Sequence, residues 1–282
     1  MHKRHSSIML IASLVISGTI FLQMGVYFIA KLAGWNVQYN LVVTCHSWMK
    51  IIGLSSLDYI LDVLVIYTLI LILWKIGSQF YHAIRMKKRF KQYKENMLTI
   101  DMNRTYCKGK DVFIVISHPT PIAITMGFIQ PKIILSTGLM KLLTEDELTA
   151  VISHEMYHKE HRDPLKIFLM ALCSSTMWYI PILDWCNQNY KIVKELLADE
   201  YAIEKQQTSV NLGSALLKML KVSKPDKMPF TYASFADTSV NYRIGHIIDP
   251  LREIHWNLPV KMLLISLTIF SCICALFIYA LA

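Results

Sequence analysis

Long apolar runs separated by polar intervals form the first pattern in this chain. Three of them, Ile8 to Ala30, Leu57 to Phe80 and Val260 to Ala282, are mostly apolar. Each holds the roughly 20 residues that a helix needs to cross a hydrocarbon core of about 30 Å, so three transmembrane helices are expected. The first run follows Lys3 and Arg4, as the apolar part of a signal peptide would. It is longer than the ~7–15 residues of such a part and no small-x-small cleavage site follows, so it reads as an uncleaved anchor. A fourth apolar stretch, Leu165 to Leu183, contains Pro181 and lies between two groups of polar residues that have to meet on one side. That predicts a hairpin near 165–183 that dips into the membrane and returns.

Between the second and third runs, Tyr81 to Pro259 supplies about 180 residues, enough for one domain with its own core. Val112 to Ser117 and Ile133 to Leu135 are β-branched runs bounded by Pro and Gly and predict strands. The remainder predicts helices. Thr144 and Glu147 have the spacing of a capping box, which opens a helix, and Pro164 is expected to end it. A further helical run extends from about Asn187 to Lys205. The expected domains are 1–80 with two transmembrane helices, 81–259 as a cytoplasmic domain bearing the hairpin, and 260–282 as the last transmembrane helix.

Composition supports the membrane reading. The 282 residues are 54% hydrophobic and 17% charged, short of the ~25% charge usual in soluble domains. Disorder is excluded by the hydrophobicity. A disulfide scaffold is excluded by six sparse cysteines. Cys107 reads as a free thiol, and the adjacent Cys45 and His46 point in different directions on a helix, so they make no metal pair.

Charge sets the orientation. The net charge is +9, and nine Lys and Arg fall between Arg85 and Lys110, directly after the second run, whereas Lys31 and Lys50 are the only ones between the first two runs. The basic cluster places the middle of the chain in the cytoplasm, against anionic headgroups. No aromatic interleaving or nucleic-acid motif accompanies it, so no direct nucleic-acid binding is expected. Asp58 and Asp62, one turn apart at the start of the second run, read as solvated at the outer interface.

The informative chemistry lies in His154-Glu155-Met156-Tyr157-His158. His154 and His158 share one helix face, with Glu155 beside them as the base of a zinc-hydrolase H-E-x-x-H motif. A catalytic zinc takes three protein ligands and keeps a position for water. His161 lies about 10.5 Å along the helix from His154, too far to share an ion bound at about 2 Å, and reads as a cleft or surface histidine. Glu195, in Glu195-Leu-Leu-Ala-Asp199, is the better third ligand, and Asp199 one turn on can accept the free N–H of a ligating imidazole. The alternative for these acids is a solvated face flanked by Lys191, Lys194 and Lys205. For the developing oxyanion, Tyr157, His161, Arg243 and His246 are candidates beside the metal.

These residues resemble the BlaR/MecR-type membrane zinc metalloproteases, the β-lactam sensor-transducers of the gluzincin group. Pro121-Ile-Ala-Ile-Thr-Met-Gly127-Phe-Ile-Gln-Pro131-Lys-Ile-Ile-Leu resembles the family's strand pair before the motif helix. His154 to Asp163 resembles its extended zinc motif, Trp178-Tyr-Ile-Pro181 its aromatic-Pro turn, Glu195 to Asp199 its downstream ligand helix, and Tyr242-Arg243-Ile its later Arg-bearing helix. The resemblance implies one zinc ion per chain on His154, His158 and Glu195, with Glu155 as base, and it places Arg243 ahead of His161 among the candidate contacts to substrate or transition state. It also implies that the strand around Ile122 to Thr125 receives a substrate peptide by edge pairing, and that cleavage is linked to inactivating a transcriptional repressor. The family's sensor-transducers continue into an extracellular penicillin-binding sensor. No Ser-x-x-Lys sensor motif follows the last apolar run here, so β-lactam sensing by this polypeptide is not expected.

The expected fold class is an α-helical membrane protein with an α+β zinc-metalloprotease domain, about three transmembrane helices and a re-entrant hairpin. The leading function is a membrane-embedded zinc endopeptidase acting on a cytoplasmic or membrane-proximal protein, such as a repressor. The alternatives are a housekeeping quality-control metalloprotease and a non-catalytic signalling scaffold with a structural zinc.

Overall fold

The computed structural model describes residues 2–33, 47, 58–222, 236–249 and 258–281. Cys45, His46, Lys50 and Leu57 lie outside them. Helix α1 (His2–Ala33) is followed by α2 (Asp58–Gln92) and α3 (Asn96–Cys107), then strands β1 (Phe113–Ile116), β2 (Ala123–Met126) and β3 (Lys132–Ser136). Helices α4 (Thr137–Leu142), α5 (Glu145–Glu160), α6 (Asp163–Thr176), α7 (Pro181–Gln206), α8 (Val210–Val222), α9 (Ala236–Ile248) and α10 (Val260–Leu281) complete the order. The chain divides into two units, one drawn mainly from 81–168 and 189–255, the other from 7–80, 169–188 and 256–282.

In the first unit the two β-branched runs become β1 and β3, and β2 joins them in a three-stranded sheet of order β1-β3-β2, with β1 parallel and β2 antiparallel to β3. Its core sets Phe113, Val115, Ile133 and Leu135 against Met102 of α3, Val151 and Ile152 of α5, and Ala215 of α8. The outer edge of β1 is closed by the backbone at 93–95, which bridges antiparallel to Ile116, and by side chains of α3. Asn103 Oδ1 accepts the Val112 and Phe113 N–H groups at 2.7 and 2.8 Å, and Thr99 Oγ1 accepts the Val115 N–H at 3.0 Å. Among the described residues no strand pairs with the far edge of β2. Gly127 leaves that strand with φ +111°, a conformation that favours glycine. A second apolar cluster joins Ala150 of α5, Ala202 of α7, Leu212 of α8 and Ile247 of α9. Helix α5 is thereby fixed between the sheet and the helices that carry Glu195 and Arg243.

The second unit is inside-out. Ser13 and Ser17 of α1, Thr68 of α2 and Ser266 of α10 are buried, while Ile11, Val15 and Leu22 of α1, Ile70 and Leu73 of α2 and Leu264 of α10 are exposed. Exposed apolar stripes over buried hydroxyls suit a hydrocarbon solvent, and the exposed hydroxyls of Thr19 and Thr268 donate to the carbonyls of Val15 and Leu264 one turn back. The turn at 177–180 joins α6 to α7, and Met177 and Ile180 pack with Ile20 and Met24 of α1, Val65 of α2 and Leu183 of α7. Pro181 opens α7, as its missing N–H allows, and the next free N–H, that of Ile182, donates to Ser266 Oγ of α10 at 3.1 Å. Of the three spans expected, α1 meets the length and composition required among the described residues, and the apolar part of α10 described, Val260–Cys272, is shorter.

Candidate metal centre

Helix α5 begins where the capping box places it. Thr144 Oγ1 accepts the Glu147 N–H at 3.4 Å, and Glu147 Oε2 accepts the Thr144 N–H at 2.9 Å. Glu147 also accepts Ser214 Oγ at 2.6 Å and Lys218 Nζ at 2.8 Å from α8. Burial pushes this carboxyl up, but those donors prevail and hold it at about 2. The helix stops at Glu160. Arg162 turns the chain with a left-handed φ of 51°, and Asp163 and Pro164 open α6.

One face of α5 presents His154, Glu155 and His158, all buried. With Glu195 of α7 they form the set that can hold a cation: ligand atoms of His154, His158 and Glu195 lie within 4.8 Å of one another. The two Nε2 atoms are 3.1 Å apart, and each is 3.5 Å from a Glu195 carboxylate oxygen. Both rings face carboxylates on their other side. His154 Nδ1 lies 2.8 Å from Asp199 Oδ1, and His158 Nδ1 lies 3.0 Å from Asp163 Oδ2. Arg243 of α9 donates to both oxygens of Asp199 at 2.8 Å and approaches Glu195 Oε2 at 3.2 Å.

This donor set fits a divalent zinc. Carboxylates at both Nδ1 atoms favour, in the neutral rings, the tautomer with Nδ1–H, which leaves two Nε2 lone pairs and a carboxylate converging on a cation. Two nitrogens bound tetrahedrally at about 2.0–2.1 Å would stand roughly 3.3–3.4 Å apart, close to the spacing found here. The charges agree as well. With both imidazoles neutral, as metal binding requires, Glu155, Asp163, Glu195 and Asp199 face Lys194 and Arg243, an excess of two negative charges that a divalent cation cancels. Burial and the Arg243 charge oppose protonation of His154, yet Asp199 and Glu195 raise it to about 9. The Glu195 carboxyl, which burial alone would push up, is held well below its usual range by His158, His154 and Arg243.

Glu155 is held from the sheet. Its Oε2 accepts the Thr125 hydroxyl of β2 at 2.7 Å, so Glu155 and that strand are linked directly. His161 caps α5, stacks on Tyr157 with ring centroids 3.9 Å apart, and places Nδ1 2.9 Å from the Tyr157 carbonyl oxygen. It is not one of the three residues whose ligand atoms converge. His246 is buried on α9, its Nε2 3.3 Å from Glu200.

The comparisons with known proteins bear on this geometry. The family model described as BlaR1 peptidase M56 matches residues 30–247, well over half of the chain. The chain belongs to this peptidase family. It is similar to the regulatory protein BlaR1 of Bacillus licheniformis, with 26% identity over 103 residues, which is 36% of this chain and 17% of that protein. It is also similar to a protease HtpX homolog of Archaeoglobus fulgidus, with 38% identity over 69 residues, 24% of this chain and 20% of that protein. The matched region thus spans about a fifth of each relative's length.

Within this M56 chain, sequence reasoning missed three groups that touch the site: Thr125, Asp163 and Lys194. Asp163 had a signal, five residues beyond His158 and just before a proline. Lys194 read as part of a solvated flank, but it is buried beside Asp163, and Asp199 is fully buried.

Proposed function

We propose that this chain is a membrane-embedded zinc endopeptidase that hydrolyses a peptide bond in a cytoplasmic or membrane-proximal protein, as a step in signal transduction such as repressor inactivation. The observation that carries the reading is the convergence of His154, His158 and Glu195 beside Glu155 in a buried site two charges short of neutrality. Bound there, zinc would supply Lewis acidity, lowering the pKa of a water and polarising the scissile carbonyl. Glu155, steadied at Oε2 by Thr125, takes the water proton on its other oxygen as the hydroxyl adds to the carbonyl carbon, and delivers it to the amine as the C–N bond breaks. Arg243 fixes Asp199 and Glu195. The substrate backbone adds along the open edge of β2, which brings the scissile bond to Glu155. Asn103 and Thr99 have closed the other edge of the sheet, and this favours β2 as the docking strand.

In this proposal residues 8–30, 57–80 and 260–282 cross the membrane, the hairpin near 165–183 enters it, and the catalytic domain faces the cytoplasm. The inside-out polarity of the second unit supports the arrangement. A quality-control protease is the second reading, favoured by the likeness to a relative named as a protease and not as a regulator. The test is comparative proteomics of cells carrying the native protein or Glu155→Gln. A fragment made only by the native form identifies the substrate, and a set of many misfolded membrane proteins would favour quality control. Glu155→Gln retains about one zinc per chain and makes no fragment. Continued cleavage by that variant would remove Glu155 from its role, and a native protein that binds zinc without any turnover would favour a scaffold.

A further inference from the structure

We infer that Asp163 and Lys194 form a positioning pair for His158, an assignment that rests on the metal-site reading above. Asp163 is fully buried and divides its two oxygens between two tasks. Oδ2 lies 3.0 Å from His158 Nδ1, and Oδ1 lies 2.8 Å from Lys194 Nζ. The left-handed turn at Arg162 brings this carboxylate, five residues along the chain, back onto the outer nitrogen of the His158 ring. An Nδ1–H donated to Asp163 leaves the Nε2 lone pair directed at Glu195 and His154. A ring without that acceptor is free to rotate or to change tautomer, and then turns an N–H toward the metal site.

Lys194 fixes the other oxygen. It is 4% exposed, an unusual burial for lysine. Its ammonium lies 5.6 Å from the ring centroid of Tyr157 and 5.7 Å from that of Tyr190, within cation–π range. Lys194 immediately precedes Glu195 on α7. The single carboxylate of Asp163 therefore ties the helix that presents both imidazoles to the helix that presents the carboxylate ligand. It acts on the metal through His158 and through the spacing of the two helices.

The experiment uses the full chain in detergent, with zinc alone as the probe in chelator competition. Asp163→Leu/Lys194→Met removes the acceptor and both charges together, and replacing a whole buried pair by apolar residues is commonly tolerated without loss of fold. The folded double variant is expected to bind zinc about ten- to a hundredfold more weakly, with shifted visible absorption bands when loaded with cobalt. Native zinc affinity and a native cobalt spectrum in the folded double variant would reduce the pair to a structural ion pair and overturn the inference. Should the double variant fail to fold, cobalt-loaded Lys194→Met carries the test, because the bound cation offsets the charge left on Asp163; shifted absorption bands are expected and a native spectrum refutes the inference. Glu195→Ala separates the two readings. Native zinc affinity in that variant sinks the metal site itself, whereas zinc loss there beside native affinity in the double variant sinks only the positioning pair.

Discussion

Replacing Arg243 by methionine tests the charge balance on which the site stands. The side chain is mostly buried, and methionine occupies much of the same stem, so the change is chiefly the loss of a cation. Its guanidinium holds both oxygens of Asp199 at 2.8 Å and reaches Glu195 at 3.2 Å. Without it, the fully buried Asp199 retains its contact with His154, and the surroundings gain one uncompensated negative charge. Removing one partner of a buried ion pair costs about 3–5 kcal/mol, a large fraction of the ~5–15 kcal/mol that holds a domain together. A bound divalent cation offsets part of that excess and stabilises the folded form by mass action. The metal-free variant is therefore expected to lose about 3–5 kcal/mol, with saturating zinc recovering part of the loss. Arg243→Met/Asp199→Asn, which removes both charges, is expected to be more stable than the single variant. The assay is pulse proteolysis of the purified full chain across a urea series, with chelator or with zinc. Metal-free Arg243→Met within about 0.5 kcal/mol of native, or a double variant no better than the single, would refute the argument.

Metal binding has to displace the proton from His154, which the surrounding carboxylates hold up to about 9. Apparent zinc affinity is therefore expected to rise with pH, by up to about tenfold per unit below that value, and to level above it; a chelator series from about pH 6 to 9.5 that came out flat would contradict this. Thr125→Val deletes the hydroxyl that steadies Glu155 and is expected to lower kcat/KM about tenfold, the worth of a hydrogen bond to a charged group, with zinc content unchanged by metal analysis. Glu147→Ala loses the cap and the tie from α5 to α8 and is expected to cost about 2–4 kcal/mol in urea unfolding. Because the folded pKa of Glu147 is depressed from 4.5 to about 2, this contribution is complete above about pH 4.5 and fades as pH falls toward 2. The stability gap between native and Glu147→Gln is then expected to close over that window, and a gap that persisted at about pH 2 would count against it. His161→Ala leaves metal stoichiometry unchanged if the stacked ring on Tyr157 stands apart from the ion, which metal analysis reads directly.

How much of this was legible in the chain itself depends on the range of the interactions involved. The start of α5, the shared face of His154 and His158, the breaks at Pro164 and Pro181 and the β-branched strands were all readable, because capping, helical period and proline geometry act within a few residues. The run from Asn187 to Lys205 proved to be part of the longer α7, whose first turn starts at Pro181; apolar residues there had merged helix and turn into one stretch. The sequence also placed Glu195 and Asp199 one turn apart, but not which imidazole Asp199 would meet. That is decided by the packing of α5 against α7 through Ala150 and Ala202, where small side chains let the helices approach.

Other features belong to tertiary structure alone. Arg243 lies 44 residues from Asp199 in sequence, and no local pattern announces their bidentate pair. Lys194 has the spacing of a solvated charge and becomes a buried one because Asp163, Tyr157 and Tyr190 surround it. Strands β1 and β3 were predicted, yet only the assembled sheet shows that the backbone at 93–95 and α3 side chains close β1 and that β2 lies beside Glu155. Periodicity fixes which face of an element is apolar, since that depends on neighbours along the chain. Which charges share a low-dielectric pocket depends on how distant elements pack, and that is where the chemistry of this protein was decided.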